Sequence, residues 1–150
     1  MAEKTIDIAS PILSRNERLA DQLRQRFNET NTYVINVLSS PGSGKTTTIL
    51  GTNERLRDKA GLRCAVIGDV DAQLMKAAGM PAIQINTGGL CHLEGNMIME
   101  AVDAFDQAVG LENIDVIFIE NVGNLVCPVD FDLGENLSIM ILSVPEGDDK

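Results

Sequence analysis

Two groups of residues in this chain are equipped for chemistry. The first is Ser39-Ser40-Pro41-Gly42-Ser43-Gly44-Lys45-Thr46-Thr47, set between an apolar run and a helical stretch. Strand, glycine-rich turn and helix in that order are the context of a phosphate-binding loop. Gly42 and Gly44 let the backbone turn so that its N–H groups, Ser43 among them, converge on phosphate oxygens. The helix that follows adds the positive end of its dipole. Lys45 is placed to reach β- and γ-phosphates, the Thr46 hydroxyl to ligate Mg²⁺, and Thr47 closes the loop. The strict pattern puts a further glycine where this chain has Ser39.

Two acids belong with this loop. Ile117-Phe118-Ile119 runs into Glu120 and then Asn121-Val122-Gly123, and Cys64-Ala65-Val66-Ile67-Gly68 runs into Asp69. A carboxylate at such a strand end positions Mg²⁺-bound water, and a glycine like Gly123 donates its N–H to the γ-phosphate. Taken singly, each acid is equally a solvated strand-end carboxylate. With the loop they form a candidate Mg²⁺–nucleoside triphosphate site. Its catalytic candidates are Lys45, Thr46, Glu120 and Gly123, and its binding candidates Gly42, Ser43, Gly44, Lys45, Thr46, Thr47 and Asp69. Thr46, Asp69 and Glu120 are the magnesium partners, and water is the nucleophile.

The second group is Cys91, His92 (the chain's one histidine) and Cys127. Their separation is not zinc-finger spacing, and by spacing alone the cysteines are equally unrelated, inert thiols. Cys64, on a strand, reads as one of those. Cys91 and Cys127 instead lie on loops among Gly, Asn and Pro, where packing does not account for them. Thiolate with imidazole suits Zn²⁺ or Ni²⁺. Three ligands leave a position open, so a metal is either handed on or completed by a second subunit. Cys127 is also close in chain to Gly123, so a γ-phosphate-sensing loop would carry a metal ligand with it.

These residues need elements to position them. Ser10-Pro11 can open a helix, with Ser10 as cap and Ile12, Leu19, Leu23 and Phe27 along its apolar face. Strands are expected over 33–38, 63–67, 82–85, 114–119 and 137–143, and helices over 45–59 and 72–78. A further helix buries Ile98, Ala101, Val102, Phe105, Ala108 and Val109. Strands alternating with helices predict an α/β P-loop NTPase fold: a mostly parallel sheet flanked by helices. The expected division is a helical segment over 1–30 and a P-loop domain over 31–150, which a family resemblance implies to be an incomplete GTPase domain with its C-terminal part missing.

Composition narrows the function. With 12 Lys+Arg against 22 Asp+Glu, the net charge of −10 argues against nucleic acid as a partner. No apolar run is long enough to span a membrane and the N-terminal residues lack a signal-peptide core, so a cytoplasmic location is expected. Three cysteines without a CxxC pair do not suggest a disulfide framework.

The stretches VLSSPGSGKTTT, QINTGGLCHLEGNMI, FIENVGNLVCPVDFDLGE and LSVPEGDDK closely resemble the HypB family, the nickel-inserting GTPases of [NiFe]-hydrogenase maturation. The similarity runs from about Ile12 to Lys150. The resemblance implies GTP and Mg²⁺ at Lys45, Thr46, Asp69 and Glu120. It implies Ni²⁺ or Zn²⁺ at Cys91, His92 and Cys127, at a homodimer interface. It further implies GTP hydrolysis driving dimerisation and metal transfer to the hydrogenase large-subunit precursor, with a HypA-type metallochaperone as partner. The chain departs from the family in three ways. Its first switch, Ile67-Gly68-Asp69-Val70-Asp71-Ala72, is shorter. It stops at Glu146-Gly147-Asp148-Asp149-Lys150, before the guanine-reading Asn-Lys-x-Asp of relatives. It also has no N-terminal Cys cluster or His-rich tract. The alternatives are a non-enzymatic nickel- or zinc-binding module and an inactive fragment whose last strand exposes an apolar edge.

Overall fold

The computed structural model describes residues 10–144; the expectations placed on the first residues and on Glu146 to Lys150 lie outside them. Five strands, β1 (Tyr33–Ser39), β2 (Cys64–Gly68), β3 (Ala82–Gln84), β4 (Val116–Glu120) and β5 (Leu137–Ile141), form one sheet in the order β3-β2-β4-β1-β5. Every pairing is parallel. Four helices cover it: α1 (Ser10–Glu29), α2 (Lys45–Ala60), α3 (Ala72–Ala77) and α4 (Gly95–Ala108). Two short 3₁₀ turns, Leu111–Asn113 and Cys127–Asp130, complete the described elements.

The alternation of side chains along each strand sorts the core into two layers. Ala65, Ile67, Ile117 and Ile119 face Leu23 and Phe27 of α1 and Ile98, Val102 and Phe105 of α4. Cys64, Val66, Val116 and Phe118 face Ile49 of α2 and Met75 of α3. The inner strands β2 and β4 are buried throughout, as expected of a parallel sheet covered on both faces.

Boundaries differ from the expected ones by no more than two residues; the last strand, for example, stops at Ile141. Three side chains depart from their expected burial. Ile12 is exposed, because the buried face of α1 starts one turn later at Asn16. Ala108 and Val109 are exposed because α4 ends there and the chain turns away through Gly110. Since α1 already includes Ser10, its cap lies outside the described residues.

Polar side chains tie the elements together at chosen points. The buried Asn16 of α1 accepts from the Gly95 N–H at 2.6 Å and donates to the Asp132 carbonyl at 2.7 Å. It thus fastens the start of α4 and the β4–β5 segment to one helix. At the opposite end of the sheet, Arg63 wraps Asp115, with Nε 3.0 Å from Oδ2 and Nη2 3.1 Å from Oδ1. The Arg63 N–H also donates to Asp115 Oδ2 at 2.7 Å, joining the entrances of β2 and β4.

Candidate functional site

The register brings three strand ends to one place. Glu120, last in β4, lies between Gly68 of β2 and Val37 of β1. Only glycine fits at the end of β2. A Cβ on Gly68 would overlap the Glu120 carbonyl oxygen, and its φ of 138° lies in a region that L side chains rarely adopt. This close approach delivers Asp69 beside Glu120, with the Asp69 N–H donating to the Glu120 carbonyl at 3.0 Å.

From β1 the chain enters the loop and turns into α2 at Lys45, with positive φ at Gly42 and Gly44. Lys45 Nζ donates to the Ser39 hydroxyl at 2.9 Å, and that hydroxyl donates to the Ser40 carbonyl at 2.8 Å. Ser40 and Ser43 hydroxyls meet at 2.8 Å across the loop. Thr46 Oγ1 donates to Glu120 Oε1 at 2.7 Å. Glu120 is 4% exposed, and its Oε2 is the one buried side-chain oxygen or nitrogen among the described residues without a hydrogen-bond partner. Burial pushes its carboxyl above the ordinary range; Thr46 and Lys45 oppose that rise, and Asp69 adds to it. Gly123 packs against the loop itself, where a Cβ would stand 3.0 Å from the Pro41 Cα. Thr46, Glu120, Gly123 and the loop residues are therefore brought together. Asp69 stands exposed at the rim, and Thr47 is exposed on α2.

The thiols and imidazole also converge. Cys91 Sγ lies 3.5 Å from His92 Nδ1, and the Cys91 and Cys127 thiols bear on one another's ionisation. The influence of Cys127, then the contact with His92, pulls the Cys91 thiol below its ordinary range, while Cys91 pushes the Cys127 thiol up. Among the described residues no group of three or more His, Cys, Asp or Glu is arranged to hold a metal ion, so the three donors are neighbours without forming a closed ligand set. All three cysteines are free thiols. Cys64 is buried, and its thiol is pushed up to about 11 by desolvation and then by Asp115.

Several residues of the site were not apparent in the sequence. His92 stacks on Phe131, with ring centroids 4.0 Å apart and planes 11° from parallel, and its Nε2 is 3.0 Å from Glu94 Oε1. Asn124 Oδ1 accepts from the Val126 and Cys127 N–H groups at 2.7 and 3.2 Å, shaping the turn that presents Cys127. A buried clasp holds both ends of the segment that carries these groups. Asn121 Nδ2 donates to Asn36 Oδ1 at 3.1 Å, Asn36 Nδ2 to Glu135 Oε1 at 3.3 Å, and the Leu133 N–H to Glu135 Oε2 at 2.8 Å. The polar Asn36 inside an apolar strand was the available signal.

A parallel sheet with a glycine-rich loop leading from its first strand into α2, and with an acid at the end of β4, defines a P-loop nucleotide-binding domain. The model of the CobW/HypB/UreG nucleotide-binding domain matches residues 33–141, and the chain belongs to that family. Within it, the chain is 46% identical to the hydrogenase/urease maturation factor HypB of Helicobacter hepaticus, over 99% of this chain and 62% of the relative. It is also 46% identical to the hydrogenase maturation factor HypB of Escherichia coli K12, over 98% of this chain and 50% of the relative. The crystal structure of HypB from Helicobacter pylori in complex with nickel superposes with a TM-score of 0.81 at 42% identity, covering 91% of this chain and 64% of that one. The chain thus spans between half and two thirds of the length of these relatives. No helix among the described residues is long and apolar enough to cross a membrane.

Proposed function

We propose that this chain is the phosphate- and metal-handling part of a cytoplasmic, Mg²⁺-dependent GTPase that delivers nickel during [NiFe]-hydrogenase maturation. The observation that carries the nucleotide half is the buried, unpartnered Glu120 Oε2 beside Thr46. A carboxylate oxygen shut away from water with no donor is costly unless a cation completes it. The fit favours Thr46 and Glu120 as holders of Mg²⁺, with Asp69 at the rim. Mg²⁺ there supplies charge neutralisation on the phosphate oxygens.

The rest falls to the chain's own groups. Loop N–H groups from Gly42 to Thr46 bind phosphate, and Lys45 adds its ammonium. Gly123, held against Pro41, brings its N–H to the same loop for the γ-phosphate. Hydrolysis by water then requires positioning more than covalent chemistry. The preference for guanine rests on the family resemblance.

Nickel or zinc is cargo in this reading. Cys91, the thiol drawn to lower pKa, is the first donor, with His92 and Cys127 beside it. Glu94 and Phe131 orient the imidazole, leaving Nδ1 toward the thiol. The open ligand set and the exposed Leu90, Val126 and Val129 flanking the two cysteines favour completion of the site by a second copy. A HypA-type metallochaperone and the hydrogenase large-subunit precursor are the partners in metal receipt and delivery.

The test measures GTP hydrolysis with Mg²⁺ in the wild type and Lys45→Ala, together with Ni²⁺ titrations with and without nucleotide. Hydrolysis lost in Lys45→Ala and a nucleotide-dependent nickel affinity are expected. Nickel affinity indifferent to nucleotide rejects the coupling, and hydrolysis that survives Lys45→Ala rejects the enzyme.

A further inference from the structure

At the end of β1, where the strict phosphate-loop pattern has glycine, Ser39 is fully buried, and its hydroxyl is oriented from both sides. Its proton goes to the Ser40 carbonyl at 2.8 Å, so a lone pair is left facing Lys45, whose ammonium donates to it at 2.9 Å. A glycine at this position offers no such acceptor. We propose that Ser39 is a positioning residue for Lys45: it holds the lysine ammonium over the phosphate loop before nucleotide arrives.

The physical basis is pre-organisation. A free lysine side chain loses substantial rotamer freedom when it is fixed on a ligand. An ammonium has three donors, so one bond to Ser39 leaves two for phosphate oxygens. The lysine therefore need not abandon its anchor to bind, and part of its ordering precedes the ligand. The Ser39 hydroxyl cannot turn to follow solvent, because it is buried and already committed to the Ser40 carbonyl. The proposal rests on Lys45 being the phosphate-binding lysine, and the test separates the two.

Affinity for a fluorescent, non-hydrolysable guanosine triphosphate analogue is measured with Mg²⁺ on the whole chain in a double-mutant cycle. The variants are Ser39→Ala, Ser39→Gly, Lys45→Ala and Ser39→Ala/Lys45→Ala, each checked for a cooperative melt. Ser39→Ala should weaken binding by about tenfold, in the range of one immobilised lysine side chain. Ser39→Gly should do the same; it serves as a second probe that adds no bulk if the alanine variant folds poorly. In the Lys45→Ala background the Ser39 substitution should change affinity by less than about twofold, because the interaction it removes is already gone. An equal loss in both backgrounds would show that Ser39 acts on loop structure and not through Lys45, overturning the proposal. Wild-type affinity in Ser39→Ala and Ser39→Gly overturns it as well. Wild-type affinity in Lys45→Ala instead overturns the underlying assignment of the lysine.

Discussion

Glu120 is where stability and function pull in opposite directions. Its carboxyl is raised by burial, so its contribution to stability is full below the unfolded glutamate value and lost as pH rises through the folded one. Ionising this carboxyl in the metal-free protein therefore costs stability. Glu120→Gln should raise the metal-free melting temperature at pH 7.5 by about 2–4 °C for each kcal/mol relieved, while abolishing the tightening of nucleotide binding by Mg²⁺. Calorimetry and nucleotide titration on one variant check both. The thiols separate just as cleanly. Alkylation at pH 8 should modify Cys91 first, since the thiolate is the nucleophile and its pKa is lowered by Cys127 and His92. Cys64, buried and raised to about 11, should stay unmodified until the chain unfolds. Peptide mapping of a time course reads the order.

Among elements, α1 does more than cover the sheet. It inserts the fully buried Leu23 and Phe27 into the layer beneath β2 and β4, and through Asn16 it holds the loop-side ends of α4 and of the β4–β5 segment. Leu23→Ala should cost about 2–5 kcal/mol, as large-to-small core changes do, measured by urea unfolding. The Arg63–Asp115 clasp gives a pH signature of its own. Hydrogen bonds from Arg63 hold the Asp115 carboxyl below the ordinary range. Its contribution is therefore present above the unfolded aspartate value and lost as pH falls through the lowered one. Asp115→Asn should lower stability in the neutral region and flatten the acid limb below about pH 4, the variant and the wild type converging at low pH. The elements themselves were legible because buried parallel strands are near-continuous apolar runs, and 116–120 is a clear case. What escaped was geometry across elements. Phe131 meets His92 from a segment far along the chain, and no periodicity encodes that meeting. Ile12 escaped for a different reason: helical spacing places a residue on a face but does not say where that face meets the core.

Across the described residues as a whole, chemistry is concentrated at the carboxyl edge of the sheet and an exposed apolar border lies to one side. Leu137, Ile139, Met140 and Leu142 are exposed along and just beyond β5, the edge strand next to β1. Such an edge invites strand-to-strand association. Ile139→Lys should lower concentration-dependent self-association in sedimentation experiments while leaving nucleotide affinity within about twofold, because the change lies away from Lys45 and Glu120. The phosphate loop was legible from one contiguous run. The thiol–imidazole cluster was legible only as candidates, since its assembly depends on how the chain between Glu120 and Glu135 is folded back.

That segment is pinned at both ends by one buried amide–carboxylate clasp, so it has the mechanics of a rope tied at two posts. It can swing about the line joining its anchors, but it cannot pay out slack. A displacement at Gly123 should therefore reach Cys127 as sideways travel, while Phe131, beside the Asp132 that Asn16 and Arg24 hold, stays in place. The two ends should resist hydrogen exchange together and the middle should exchange early, giving a single rate for the swing in place of several for a fraying loop.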